Sequence, residues 1–206
     1  MSHEISVMKG FNCWFDALSR TIEESGNWVP VSREVFIADK TQREKRIKAV
    51  IKKASKKTLW ISGFLALPPG FLGVATIIPD LVAVWKIQAQ MVADIAGICG
   101  KQHQIPREAI IFCLFRQMGI NVVGDLAVKK GTEFLIKKVS VRTIRQIMRK
   151  VGIKISNKVI SRTVSGMIPV LGAGGIGTWS YFETKAVGLN ALKLFDRPDY
   201  DLLEAG

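Results

Sequence analysis

The sequence predicts an all-α protein: a compact helical bundle of about seven helices, with two Gly/Pro-broken hydrophobic hairpins. Three observations lead there. Apolar residues recur at spacings of three and four along almost the whole chain. Helix breakers cluster at 68–70, 100–105 and 172–177. No alternating series of strand and helix patterns precedes or follows them.

Residues 10–25 read as a first amphipathic helix, with Phe11, Trp14, Phe15, Leu18 and Ile22 on one stripe and Gly26 as its stop. The following stretch is irregular, with Pro30 as a breaker, so residues 1–39 are expected to be an N-terminal helix and linker. A helical domain over 40–196 and a short acidic tail over 197–206 complete the organisation. Residues 40–57 predict a basic amphipathic helix: Ile47, Val50, Ile51 and Ala54 form a narrow stripe, and lysines fill the remainder. Such a pattern suits a helix lying on a membrane surface, and equally one packed on a core with its lysines in water.

The stripe runs on into residues 58–79, a stretch with no formal charge. Its length invites a membrane span, since a helix needs about 20 apolar residues to cross. Pro68-Pro69-Gly70 divides it, and each half is then roughly 15 Å as a helix. A hairpin, either re-entrant or buried in protein, is the better reading. Trp60, Phe64, Leu65, Phe71 and Leu72 are its expected insertion residues, with Trp60 suited to the lipid–water interface.

Pro79 is expected to open a new helix, with Asp80 in its first turn and a stop at Gly100. Asp80 and Asp94 are polar positions on a largely apolar element, read as anchors or ligand contacts, or as an N-terminal acid and a paired acid respectively. Pro106 starts another helix, and 121–138 reads as a further one, built on Val122, Val123, Leu126, Phe134 and Leu135. In 138–162, Lys138, Arg142, Arg145 and Arg149 share one helical face, and Gly152 divides the stretch. A second uncharged run, 163–182, is broken by Pro169 and five glycines before a last amphipathic helix.

The 206 residues carry a net charge of +13, unevenly placed. The segments 40–57 and 129–162 hold 20 of the 30 basic residues and only Glu44 and Glu133 among the acids, leaving the rest of the chain at −5. That asymmetry points to an anionic partner, either lipid or nucleic acid. Single-strand stacking needs aromatics among the basic residues, and the two blocks contain only Phe134, which disfavours nucleic acid. Cys13, Cys99 and Cys113 read as buried free thiols of a reducing compartment. His3 and His103 lie in no cluster, so no metal site, catalytic residue or cofactor is expected, and the chain reads as a non-enzyme. Gly172, Gly174 and Gly177 match G-x-G-x-x-G, but without the βαβ context of a dinucleotide site; close helix packing or a bend explains them better.

The run PPGFLGVATIIPDLVAVWKIQAQMVADIAGICGK resembles the core signature of the bacterial EcsC protein family, and IPVLGAGGIGTWSYFETKAVGLNAL is similar to that family's second glycine-rich block. The resemblance covers about residues 43–195. It implies an all-helical, membrane-associated bacterial protein and carries over no catalytic residue. The leading expectation is therefore a peripheral or monotopic protein on the cytoplasmic face of the inner membrane. Lys52, Lys53, Lys56, Lys57, Arg142, Arg145, Arg149 and Lys150 are its expected contacts to anionic membrane lipids. A membrane protein is a further candidate partner. The alternatives are an immunity or inhibitor protein that binds a partner's acidic surface, and a nucleic-acid binder.

Overall fold

The computed structural model describes residues 30–65, 71–116, 126–130, 133–140, 142–144, 146–147, 150 and 172–196. At 64–65, 71–81, 104, 127–130, 133–135, 172–174 and 176 only the backbone is described. The described residues are predominantly helical. Their α-helices are α1 (Lys40–Leu65), α2 (Phe71–Ile98), α3 (Arg107–Phe115) and α4 (Gly172–Phe195), with a 3₁₀ turn at Gln102–Gln104. The chain divides into two compact units, one of 29–138 with 173–206 and one of 1–28 with 139–172.

In the larger unit, α1 starts at a cap. Asp39 Oδ1 accepts the Gln42 N–H at 2.7 Å, which satisfies one of the donors that a helix start leaves open. The inward stripe then recurs at helical spacing: Ile47, Ile51, Ala54, Ser55, Thr58 and Ser62 are all buried. Each fully buried large aliphatic side chain contributes about 1.5–3 kcal/mol. Of the stripe expected from the sequence, Ile47, Ile51 and Ala54 are packed and Val50 is half-buried; beyond Ala54 the packed side continues through Ser55, Thr58 and Ser62 rather than through Leu59, Trp60 and Ile61.

Helix α2 lies antiparallel to α1, since the Ile37 N–H donates to Ile98 O at 3.1 Å where one begins and the other ends. It ends as expected at Gly100, whose φ of +75° is one that L side chains avoid. There the Lys101 N–H bonds Ala96 O at 2.8 Å and the Gly100 N–H bonds Gly97 O at 2.9 Å, a Schellman stop. Helix α3 is short and buried from Glu108 through Phe115. Trp85 on α2 meets Phe115 edge-on, with ring centroids 5.1 Å apart.

Two expectations need correction. Pro79 does not open a helix; α2 already runs from Phe71, so Pro79 and Asp80 lie inside it. Asp80 is thus not a first-turn acid. Proline withholds one donor and disfavours helix at the preceding residue, but it does not forbid either, and the apolar run from Phe71 carries the helix through. The second correction concerns 127–136; of the rest of the expected helix over 121–138, residues 121–125 lie outside the described residues. In place of a helix, β1 (Ala127–Lys130) pairs antiparallel with β2 (Glu133–Ile136), in register Lys130↔Glu133 to Ala127↔Ile136. Gly131 and Thr132 alone separate the paired positions, a spacing that favours a tight strand reversal over helix.

In the smaller unit, described residues at 142–144, 146–147 and 150 are helical, with Ile144 and Ile147 buried. Ser140 Oγ accepts the Thr143 N–H at 3.2 Å at the start of this stretch.

Candidate functional site

The basic block of α1 is divided by what its members touch. Arg43 and Arg46 are used internally. Arg43 Nε donates to Asp196 Oδ1 at 3.1 Å, and its Nη1 reaches Ile37 O at 3.2 Å. Arg46 grips Glu34 with two bonds of 2.8 and 2.7 Å. That contact holds the Arg46 pKa above its ordinary value, hydrogen bonding to Glu34 being the main cause. Together these arginines fasten the segment 30–39 to the bundle.

Asp94 completes that fastening. Its Oδ1 accepts the Arg33 N–H at 2.8 Å and Gln90 Nε2 at 2.9 Å, while Gln90 Nε2 also donates to Val31 O at 2.9 Å. Asp94 is thus an anchor for main chain; the other expectation, an ion pair with a lysine or arginine, is not met among the described residues. Phe36 lies against Gly100, and Ser32 and Glu34 lie against Gly97, where no side chain has room.

Lys52, Lys53, Lys56 and Lys57 are left exposed, with no ion-pair partner among the described residues. Trp60 follows them on the same outer face and is 74% exposed. It stands two residues from both Thr58 and Ser62, so about 200° around the helix from the buried stripe. Phe64, Leu65, Phe71 and Leu72 have helical backbone, but their side chains lie outside the described residues, as does that of Asp80. Arg142 and Lys150 are helical and exposed in the smaller unit; Arg145 and Arg149 lie outside the described residues.

Behind the exposed face, α1 and α4 pack antiparallel along small residues. A Cβ on Gly177 would sit 2.6 Å from Leu59 O and 3.5 Å from Gly63 Cα. Gly188 abuts the side chain of Ile51. Between them lies a buried hydroxyl network. Thr58 Oγ1 and Thr184 Oγ1 are 3.0 Å apart, Ser62 Oγ donates to Ser180 Oγ at 3.1 Å, and Gln88 Nε2 from α2 donates to Thr184 Oγ1 at 3.1 Å. Ser55 Oγ is buried beside this network with no hydrogen-bond partner among the described residues. The glycines at 172, 174 and 177 therefore belong to a helix, and Gly177 serves close packing as its composition suggested.

Two residues of α4 carry no signal in the sequence that marks them as surface aromatics. Trp179 and Phe182 are 55% and 60% exposed. Sitting in an uncharged run, they had no charge pattern to set them apart from core residues.

Cys113 is fully buried, and burial raises its pKa. Cys99 is half-buried, and burial is the main reason its thiol is pushed up to about 11. Among the described residues, no group of His, Cys, Asp and Glu could hold a metal ion, and no helix is long and apolar enough to cross a membrane. No family model matches this chain, and no match was found among curated proteins or solved structures.

Proposed function

We propose that this chain is a non-enzymatic membrane-surface protein that binds anionic lipid through the outer face of α1. The observation that carries the reading is Trp60, a large aromatic left 74% exposed at the head of four exposed lysines. Tryptophan is favoured at the lipid–water boundary, and juxtaposed lysines are favoured by anionic headgroups. The small-residue and hydroxyl seam behind it has the composition of helix pairs that pack in bilayers. In this reading the two uncharged segments, 58–79 and 163–182, enter as shallow hairpins from the cytoplasmic face of a bacterial inner membrane, which agrees with the EcsC-like signature. Arg142, Arg145, Arg149 and Lys150 supply the second basic contact.

Each lysine near an anionic surface adds about 1 kcal/mol. Replacing Lys52, Lys53, Lys56 and Lys57 with glutamine is expected to weaken binding to phosphatidylglycerol-containing vesicles by a factor on the order of several hundred if the terms add, at about 0.1 M salt. All four are exposed, so the fold survives the change. Unchanged binding, or equal binding of the parent to phosphatidylcholine vesicles, removes the electrostatic part of the reading. Binding to a single-stranded oligonucleotide with none to vesicles overturns it altogether.

A further inference from the structure

The contacts along the α1–α4 seam fix which residues of the two helices stand at the same height. Gly177 abuts Gly63, Ser180 meets Ser62, Thr184 meets Thr58, Gly188 abuts Ile51 and Asp196 reaches Arg43. On this scale Trp60 stands between Trp179 and Phe182, within a helical turn of about 5.4 Å of each. Lys185 stands level with Lys56 and Lys57, and both are exposed. Along α1, aromatic follows lysine; along α4, lysine follows aromatic. Because the helices run in opposite directions, the two orders describe one arrangement in space: an aromatic level nearer one end of the bundle and a basic level one turn behind it.

That end is the apolar one. The C-terminus of α1, the N-terminus of α2 and the N-terminus of α4 all lie there, so the described parts of both uncharged segments meet at it. Lys86, exposed on α2 two residues before Gln88, stands level with Phe182 through the bond from Gln88 to Thr184, at the aromatic level rather than behind it. Across 52–63, 80–90 and 177–189 the sequence has two acids, Asp80 and Glu183; Glu183 is half-buried, and the side chain of Asp80 lies outside the described residues.

The aromatics do not share a face. Trp60 lies opposite the α1 stripe that meets α4, and Trp179, two residues beyond Gly177, lies opposite the α4 stripe that meets α1. They point away from each other across the pair. A partner with one flat or grooved surface, including a nucleic-acid strand, touches one of them. A medium that surrounds the end of the bundle touches both.

We infer that the larger unit docks end-on into an anionic bilayer, with Trp60, Trp179 and Phe182 at the boundary between acyl chains and headgroups and Lys56, Lys57 and Lys185 at the phosphates behind them. This rests on the membrane-surface reading and adds its orientation and depth. Aromatic residues at one height with basic residues on the water side are what such a boundary selects.

The test uses the full chain with vesicles of equal parts phosphatidylglycerol and phosphatidylcholine, some with brominated acyl chains to quench tryptophan. Trp60→Ala and Trp179→Ala are each expected to weaken binding several-fold and each to remove part of the quenching. Leu189→Ala, farther along α4 from the apolar end, should bind as the parent does. Circular dichroism melts check that the variants remain folded. If Trp179→Ala retains full binding and full quenching while Trp60→Ala loses both, the protein lies on one face; end-on docking is then wrong although lipid binding stands. If the parent does not bind these vesicles, lipid binding itself fails.

Discussion

At Gly177 a single missing carbon sets how close α1 and α4 come. Adding a methyl there places it against Leu59 O, a backbone atom that cannot swing aside. In an unconstrained helix, glycine to alanine gains about 0.5–1 kcal/mol. Here overpacking costs typically 1–3 kcal/mol, so the net effect of Gly177→Ala is a loss of stability, measured as a lower denaturant midpoint. Gly188→Ala meets only the Ile51 side chain and should cost less. The cysteines respond to their surroundings in a different way. The Cys99 thiol is neutral at neutral pH in both folded and unfolded chains. Because its folded pKa rises from 9.0 to about 11, the folded state holds the proton more tightly, and stability falls as pH rises from 9.0 toward about 11. Alkylation of Cys99 in the folded protein at about pH 8 is therefore expected to be slower than that of a free thiol, and Cys113 should react only after unfolding, as peptide mass spectrometry would show. The sequence placed both cysteines in apolar helical contexts; only packing separates the half-buried one from the fully buried one.

Among elements, those with strong local signals were legible. The first part of the α1 stripe, Ile47, Ile51 and Ala54, and the Gly100 stop follow from residues within one or two turns; beyond Ala54 the apolar residues Leu59, Trp60 and Ile61 pointed to the wrong side, because the buried continuation is polar. The β1–β2 ribbon was not legible as such, because Val128, Phe134, Leu135 and Ile136 fit a helical stripe as readily as a strand, and Gly131-Thr132 was the only local cue. The hydroxyl network was illegible for a deeper reason: Thr58, Ser62, Gln88, Ser180 and Thr184 become neighbours only when three helices meet. Its energetics can be tested by isosteric change. Thr184→Val removes the oxygen that accepts from Gln88 and pairs with Thr58, leaving buried polar groups unmet. It should cost about 1–3 kcal/mol in equilibrium unfolding. Combining it with Thr58→Val and Gln88→Met removes the partners as well and should recover most of that loss.

For the whole molecule, the decisive property is how charge is ordered relative to apolar surface. The net charge of +13 was plain in the sequence, but its usable part was not. Arg43 and Arg46 look identical in composition to the lysines beyond them, yet they serve Asp196 and Glu34. What remains is lysine one turn behind exposed aromatics, and these two layers respond to salt in opposite ways. Raising ionic strength from about 0.1 M to about 1 M shortens the Debye length from about 10 Å to about 3 Å, which removes most of the lysine attraction. The transfer of Trp60, Trp179 and Phe182 out of water is not screened, and excluded salts such as sulfate strengthen it. Parent binding to anionic vesicles should therefore fall with salt to a plateau above zero. The variant lacking Lys52, Lys53, Lys56 and Lys57 should start below the parent and fall less with salt toward the same plateau, its remaining salt dependence coming from Lys185 and the second basic block. Vesicle flotation across a salt series measures both curves. A parent curve that falls to zero would mean that charge alone holds the protein to the surface, and that the exposed tryptophans stay in water.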